Sequence, residues 1–297
     1  PAAGADALEP GDTLMVTGTL VLLLSGGGLI GFLLAVLGAG GSILLLPLLV
    51  GAADLPTDPA IALSLLIVMV LACGNAIPYL RRGQFATGPA LVLGLPALAG
   101  SWIGGTLAKL NIVNDTAQLL IFVVAALIAS LLMLRKTKQS AAASLPLQTA
   151  LRPNASPATL AVQGLLVGLL TGVAGVGGGF AIVPALVLLA GLPMQLASGT
   201  SLVLIALNSL VALIAVGFWP APQLPLMLPI LAGGAGGALL GQRLAPHLKE
   251  RQLRRGFAAL LIGSALFTAS EALQRQRTAE PSSLHVSHER RNPLRDR

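Results

Sequence analysis

Apolar residues run in blocks along almost the whole chain, and polar residues gather between the blocks. The apolar segments occupy 14–37, 41–53, 59–80, 88–108, 116–134, 158–174, 178–191, 197–218, 224–245 and 256–273. About 20 residues of helix cross the hydrocarbon core of a bilayer, so most of these blocks are long enough to span. Segments 41–53 and 178–191 are too short at about 1.5 Å per residue. Each follows a glycine cluster and reads as a half-helix. The pattern predicts an all-α polytopic membrane protein.

The segments form two sets of five. A shift of 137 residues lays the first set on the second without a gap. Gly31, Gly38, Gly40 and Gly41 fall on Gly168, Gly175, Gly177 and Gly178. Pro47 falls on Pro184, Pro56 on Pro193, Ser64-Leu65 on Ser201-Leu202, and Gly100 and Gly104 on Gly237 and Gly241. Leucines coincide by composition, but glycines and prolines do not hold one register this way, so the chain is read as a repeat. This divides it into an N-terminal extramembrane segment (1–13), a first membrane repeat (14–134), a basic linker (135–157), a second repeat (158–273) and a basic, disordered tail (274–297).

Composition agrees with the class. Of 297 residues 55% are hydrophobic and 10% charged, against about 25% charged in a soluble domain. The 35 glycines suit close helix approach. The net charge of +7 orients the copies. Arg81, Arg82, the linker and the 243–255 loop carry the basic residues and belong on the cytoplasmic side. The loops at 109–115 and 219–225 are nearly neutral and belong outside. Segment 59–80 then runs inward and its counterpart 197–218 runs outward, so the repeats are expected to be inverted, as in many secondary transporters. The basic tail fits this orientation poorly, since it lies outside if every segment crosses. No basic face with reading groups points to nucleic acid. The single cysteine, Cys73, excludes an internal disulfide. The first residues are acidic (Asp6, Glu9, Asp12), unlike the n-region of a signal peptide.

Candidate chemistry is confined to the breaks and to a few neutral polar groups. Gly38-Ala39-Gly40-Gly41-Ser42 and Gly175-Val176-Gly177-Gly178-Gly179 each precede a half-helix. Free N–H groups at a helix N-terminus favour an anion. The competing reading is close packing or an empty hinge. Pro47 and Pro184 follow as structural breaks, with Gly38 and Gly175. Ser64, Asn75, Thr200, Ser201, Asn208 and Ser209 are the intramembrane polar residues, otherwise read as interhelical hydrogen bonds. Ser201 and Asn208 are seven apart, on one helical face. No charged residue or histidine lies mid-span. Proton relays, metal sites and hydrolytic catalysis therefore lack their groups. No cofactor and no metal is expected, and the chain is not read as an enzyme.

The stretches GVGGGFAIVPALV and LASGTSLVLIALNSL in the second copy, and GAGGSILLLPLLV and AIALSLL followed by Arg82-Gly83 in the first, resemble the TauE/SafE family of sulfite-exporter-like permeases. The resemblance covers about residues 25–273. It implies a multi-pass inner-membrane permease for small sulfur oxyanions or organosulfonates, such as sulfite or sulfoacetate. Carried over position by position, the implied solute region is Gly177, Gly178, Gly179, Pro184, Thr200, Ser201 and Asn208, with Gly40, Gly41, Pro47 and Ser64 as first-copy counterparts. Ser42 replaces the third glycine of the first copy, and Leu63 stands where Thr200 stands, which puts more of the binding on the second copy.

The expected function is a secondary transporter of a small anion, with the lipid bilayer and a coupling H⁺ or Na⁺ as partners. Its solute site is set near the midplane and built from Gly40, Gly41, Ser42, Ser64, Gly177, Gly178, Gly179, Thr200, Ser201 and Asn208. The rivals are a cation-coupled importer of another solute and a non-transporting membrane scaffold. Substrate, direction and oligomeric state are left open.

Overall fold

A computed structural model describes residues 10–39, 41–53, 55–109, 115–136, 156–173, 179–217 and 219–279. The described residues fold into α1 (Pro10–Leu37), α2 (Gly41–Ala52), α3 (Thr57–Arg81), α4 (Thr87–Lys109), α5 (Asp115–Lys136), α6 (Pro157–Val173), α7 (Gly179–Leu188), α8 (Met194–Val216), α9 (Leu224–Leu244) and α10 (Glu250–Ala279). No strand occurs among them. Five stretches are long and apolar enough to cross a membrane: Thr17–Leu37, Pro59–Arg81, Thr87–Gly104, Met194–Ile214 and Ala221–His247. The outward faces carry leucine and valine, such as Val21 and Leu22 on α1, Val162 and Leu166 on α6 and Leu239 and Leu240 on α9. Exposed apolar surface on this scale marks a lipid-facing protein.

The two short helices behave as the sequence predicts. With 12 and 10 residues, α2 and α7 reach roughly 18 and 15 Å, about half a bilayer. Pro184 lies inside α7 and Pro47 inside α2. α2 turns back along α1: a Cβ on Gly41 would press on Leu34 and Ile30, and one on Gly26 would press on Leu48. The breaks themselves are only partly visible. Gly40 and residues 174–178, with Gly175, Gly177 and Gly178, lie outside the described residues, as do the side chains of Ser42 and Pro47.

Two boundaries differ from the sequence expectation. The expected 243–255 loop is largely helical. A short 3₁₀ turn spans Ala245–His247 and α10 already starts at Glu250. The cause is a cap that hydrophobicity does not reveal. Gln252 Oε1 accepts the Lys249 backbone N–H at 2.9 Å, half of a capping box. Glu250 then supplies an acidic first turn and pairs with Arg254 at 2.6 Å. At the other end α10 continues past the expected boundary at 273, through Gln274–Arg277 to Ala279. Polar residues with high helix propensity prolong the helix there.

The helices pack by glycine. α1 lies on α9, and α4 lies on α6, each pair running parallel. A Cβ on Gly27 would meet the carbonyl of Ile230, and one on Gly31 that of Gly234. On the other side, a Cβ on Gly164 would meet the carbonyl of Leu93, and one on Gly168 that of Ala97. Likewise Gly237 faces the Gly28 carbonyl and Gly100 faces the Leu165 carbonyl. Every one of these contacts has its counterpart 137 residues away with the partners exchanged. Each copy therefore lends its first helix to the fourth membrane helix of the other copy. Between the two glycine interfaces stand α3 and α8, antiparallel, with Tyr79 beside Gly199 at one end and Leu66 near Leu213 at the other. They are the most buried spans.

This packing has a direct test. Gly31→Ala and Gly168→Ala place a methyl group on a backbone oxygen and should each cost about 1–3 kcal/mol. Gly236, on the lipid face of α9 with open space around it, should accept alanine without loss. Thermal unfolding midpoints of the purified variants decide it. Equal midpoints for Gly31→Ala and Gly236→Ala would rule out the close approach.

Candidate functional site

α8 gathers most of the buried polarity. Of nine buried polar or charged residues among those described, five lie on this helix: Ser198, Thr200, Ser201, Asn208 and Ser209. Polar groups in lipid are costly unless partnered, so the partners define what the helix does.

Three hydroxyls converge on the end of α1. The last carbonyls of a helix have no intrahelical donor and carry partial negative charge. Tyr79 Oη donates to Ala35 O at 2.7 Å, Ser198 Oγ to Leu37 O at 3.1 Å and Ser201 Oγ to Gly38 O at 2.8 Å. Ser201 Oγ also lies 2.8 Å from Ser198 O. Gly38 sits at φ +72°, and a Cβ there would fall against Ser198. Glycine is needed at this position twice over, for conformation and for contact. The first-copy break is thus fastened onto the opening turns of α8.

Thr200 fastens a second loop. Its Oγ1 accepts the Ala86 N–H at 3.0 Å and donates to Leu196 O at 2.7 Å. Gly199 leaves room for the Gln84 carbonyl. The α3–α4 turn, with Gly83 at φ +68° after Arg82, is held in this way against α8.

The structure brings some of the sequence-predicted residues together and separates others. Ser201 meets the break at Gly38. Gly41 and Gly179 start the two half-helices, and α2 and α7 touch. Ser64, the counterpart of Ser201, bonds back to Ile61 O within its own helix at 2.8 Å. Asn208 points elsewhere, toward α4 and α6. With Gly94, Ala97, Gly168 and Leu204 it lines a cavity of about 10 Å³, room for about one water. Its counterpart Leu71 fills the matching space over Gly234. No oxyanion fits beside Asn208 in this conformation. Ser209 Oγ is fully buried and has no hydrogen-bond partner among the described residues.

The sequence of these elements matches a known family pattern. The pattern described as Sulfite exporter TauE/SafE covers residues 23–268. The chain belongs to the TauE/SafE family. This TauE/SafE protein is also 31% identical over 257 residues to a protein of Xylella fastidiosa (strain Temecula1 / ATCC 700964) named "Probable membrane transporter protein". The match covers 85% of this chain and 96% of that protein. A protein of the same name from Xylella fastidiosa (strain 9a5c) is 30% identical with the same coverage. No solved structure matches the chain.

Sequence reasoning passed over three groups in this TauE/SafE protein. Tyr79 is the only tyrosine in the chain, in a sequence with 3% aromatics. Ser198 directly precedes the Gly199-Thr200-Ser201 step. Asn75, noted only as a polar residue, donates to Leu71 O at 2.9 Å and accepts from Gln242 Nε2 at 3.0 Å, tying α3 to α9. For Tyr79 and Ser198 the available signal was rarity and adjacency. For the Asn75–Gln242 pair there was none, because the two lie 167 positions apart.

The fastened break is open to measurement. Gly38→Ala should cost at least about 2 kcal/mol, combining left-handed strain with a clash. Gly217, at φ +67° but in open space, should lose only about 1 kcal/mol to the same change. Chemical unfolding of both variants compares them, and equal losses would mean that Ser198 does not press on Gly38.

Proposed function

We propose that this TauE/SafE protein is a secondary transporter that moves a small anion, a sulfur oxyanion or organosulfonate such as sulfite, across the inner membrane. The observation that carries the reading is the character of the buried polar set. On α8 it consists of hydroxyls and one amide, and no carboxylate is buried among the described residues. Cation carriers need oxygen ligands with negative charge or aligned carbonyls, whereas hydroxyl, amide and backbone N–H donors suit an anion. The family's printed description and the relatives' printed name agree with a permease.

The two sequence copies, 14–134 and 158–273, are inverted structural repeats in this reading. The exchanged glycine contacts and the antiparallel α3 and α8 support it. The basic end of the bundle, with Arg81, Arg82, Arg243 and Arg251, faces the cytoplasm. Backbone N–H groups at Gly40, Gly41, Ser42, Gly177, Gly178 and Gly179 hold the anion, with Thr200, Ser201 and Asn208. In the present conformation the protons of Thr200 and Ser201 go to carbonyls. Alternating access opens these bonds and turns the donors toward the solute. A H⁺ or Na⁺ gradient drives the cycle.

Two experiments test this. The first is flux into proteoliposomes with labelled sulfite, thiosulfate, sulfate and a small organosulfonate, with and without a pH gradient. Saturable uptake of one of them, lost in a folded Gly178→Leu variant, is the expected result. Full flux in Gly178→Leu would remove the glycine cluster from the site. The second is cysteine accessibility in a Cys73→Ser background. A cysteine at 83 should react from the cytoplasm and one at 220 from outside; labelling of both from one side would end the inverted arrangement.

A further inference from the structure

The basic end of the bundle is hollow. The C-terminus of α3, the C-terminus of α9 and the following 3₁₀ turn border an open groove of about 560 Å³ lined by Arg82, Gln242, Arg243, Pro246, His247 and the outward-facing Leu239. Arg82 and Pro246 also line a smaller chamber of about 90 Å³, together with Tyr79, Gln84, Gln195, Ala245 and Leu253. That is room for a few waters. Among the described residues no carboxylate lines either space. Glu250, the nearest acid in sequence, is paired with Arg254.

The lining is held in place. The Arg82 N–H bonds to Pro78 O at 3.1 Å, and the turn it begins is tied to α8 through Ala86 and Thr200. His247 Nδ1 lies 2.9 Å from Arg243 O. A carbonyl only accepts, so the proton is on Nδ1 and the ring is fixed at the rim. Gln195, in the first turn of α8, brings the positive end of that helix to the chamber. The chamber floor is Tyr79, whose hydroxyl holds the end of α1. The cavity therefore stops one side chain short of the fastened break.

The repeat makes this hollow one-sided. Shifted by 137 residues, Arg82 becomes Trp219, Tyr79 becomes Val216, Gln84 becomes Ala221, Gln242 becomes Gly105 and Arg243 becomes Thr106. None of these is cationic; Pro246 becomes Lys109, the single cation at the matching positions. Of the basic residues at this end, Arg82 and Arg243 line the groove, whereas Arg81, Arg251 and Arg255 do not.

We propose that the Arg82–Arg243 vestibule is a binding site for a small oxyanion at one mouth of the bundle, distinct from the glycine clusters. As a capture site for transported solute it rests on the permease reading. Two arginines at one rim raise the local concentration of an anion, and guanidinium groups match oxyanion geometry. The oxyanion is a free solute or the phosphate of an anionic lipid headgroup, which shares the chemistry.

The test is calorimetric titration of the full-length protein with sulfite and with thiosulfate. It is done in nanodiscs of phosphatidylcholine alone and of phosphatidylcholine with phosphatidylglycerol. Binding should weaken at least tenfold in Arg82→Ala/Arg243→Ala and be unchanged in Arg251→Ala. Arg-dependent binding in both lipids assigns the site to a free anion. Arg-dependent binding that phosphatidylglycerol abolishes assigns it to a headgroup. No binding by the folded wild-type protein, or equal binding by wild type and the double variant, overturns the site. Flux separates this from the permease reading. Transport with an unchanged KM in the double variant sinks the role of the vestibule as a capture site for transported solute, whereas Arg-dependent binding without transport sinks the permease alone.

Discussion

The structure depends on backbone meeting backbone. Lipid offers apolar side chains no advantage in leaving it, so helices in a bilayer associate through close contact. Here two parallel pairs, α1 with α9 and α4 with α6, approach until a glycine faces a carbonyl at Gly31–Gly234 and at Gly168–Ala97. A side chain at those positions would push the helices apart. Since each pair takes one helix from each copy, neither half of the chain can close its own interface. α3 and α8 are enclosed as a result, and everything polar that matters is placed on or beside them.

With α8 enclosed, its hydroxyls have no water to bond and must find protein acceptors. Ser198 and Ser201 find the carbonyls that the end of α1 leaves over, and Thr200 bonds to Leu196 O in its own helix. α1 stops at Gly38, and the oxygens of Leu37 and Gly38 are taken by Ser198 and Ser201. The same physical demand, satisfying backbone groups where a helix is interrupted in lipid, thus explains both the break and the serines opposite it. The cavity beside Asn208 admits about one water, while the open space lies at the arginine-lined mouth. The near-symmetry of the backbone carries asymmetric chemistry: Asn208 stands where Leu71 stands, and Arg82 where Trp219 stands.

Much of the fold was legible in the sequence. Block length announced the spans, because hydrocarbon thickness sets a minimum that no local preference overrides. Glycine clusters ahead of short apolar runs announced both half-helices, because glycine answers to backbone geometry rather than to composition. The start of α10 was not legible, since Lys249–Gln252 capping looks the same in sequence as a charged loop. The candidate site was half legible. Thr200 and Ser201 stood out as polar residues within an apolar run. Their partners did not, because Gly38 and Ala86 lie 163 and 114 positions away and offer only backbone atoms.

The sequence by itself determined that this chain lives in a membrane and that two of its apolar helices are too short to cross it. Those properties are local: they follow from what each segment can do in lipid on its own. Only the tertiary structure decided that the copies exchange helices and that the serines of α8 hold the end of α1. It alone decided that Arg82 and Arg243 share one hollow. Each of these is a meeting of groups far apart in the chain. Such a meeting is set by which backbones can approach closely enough, and single residues do not record that.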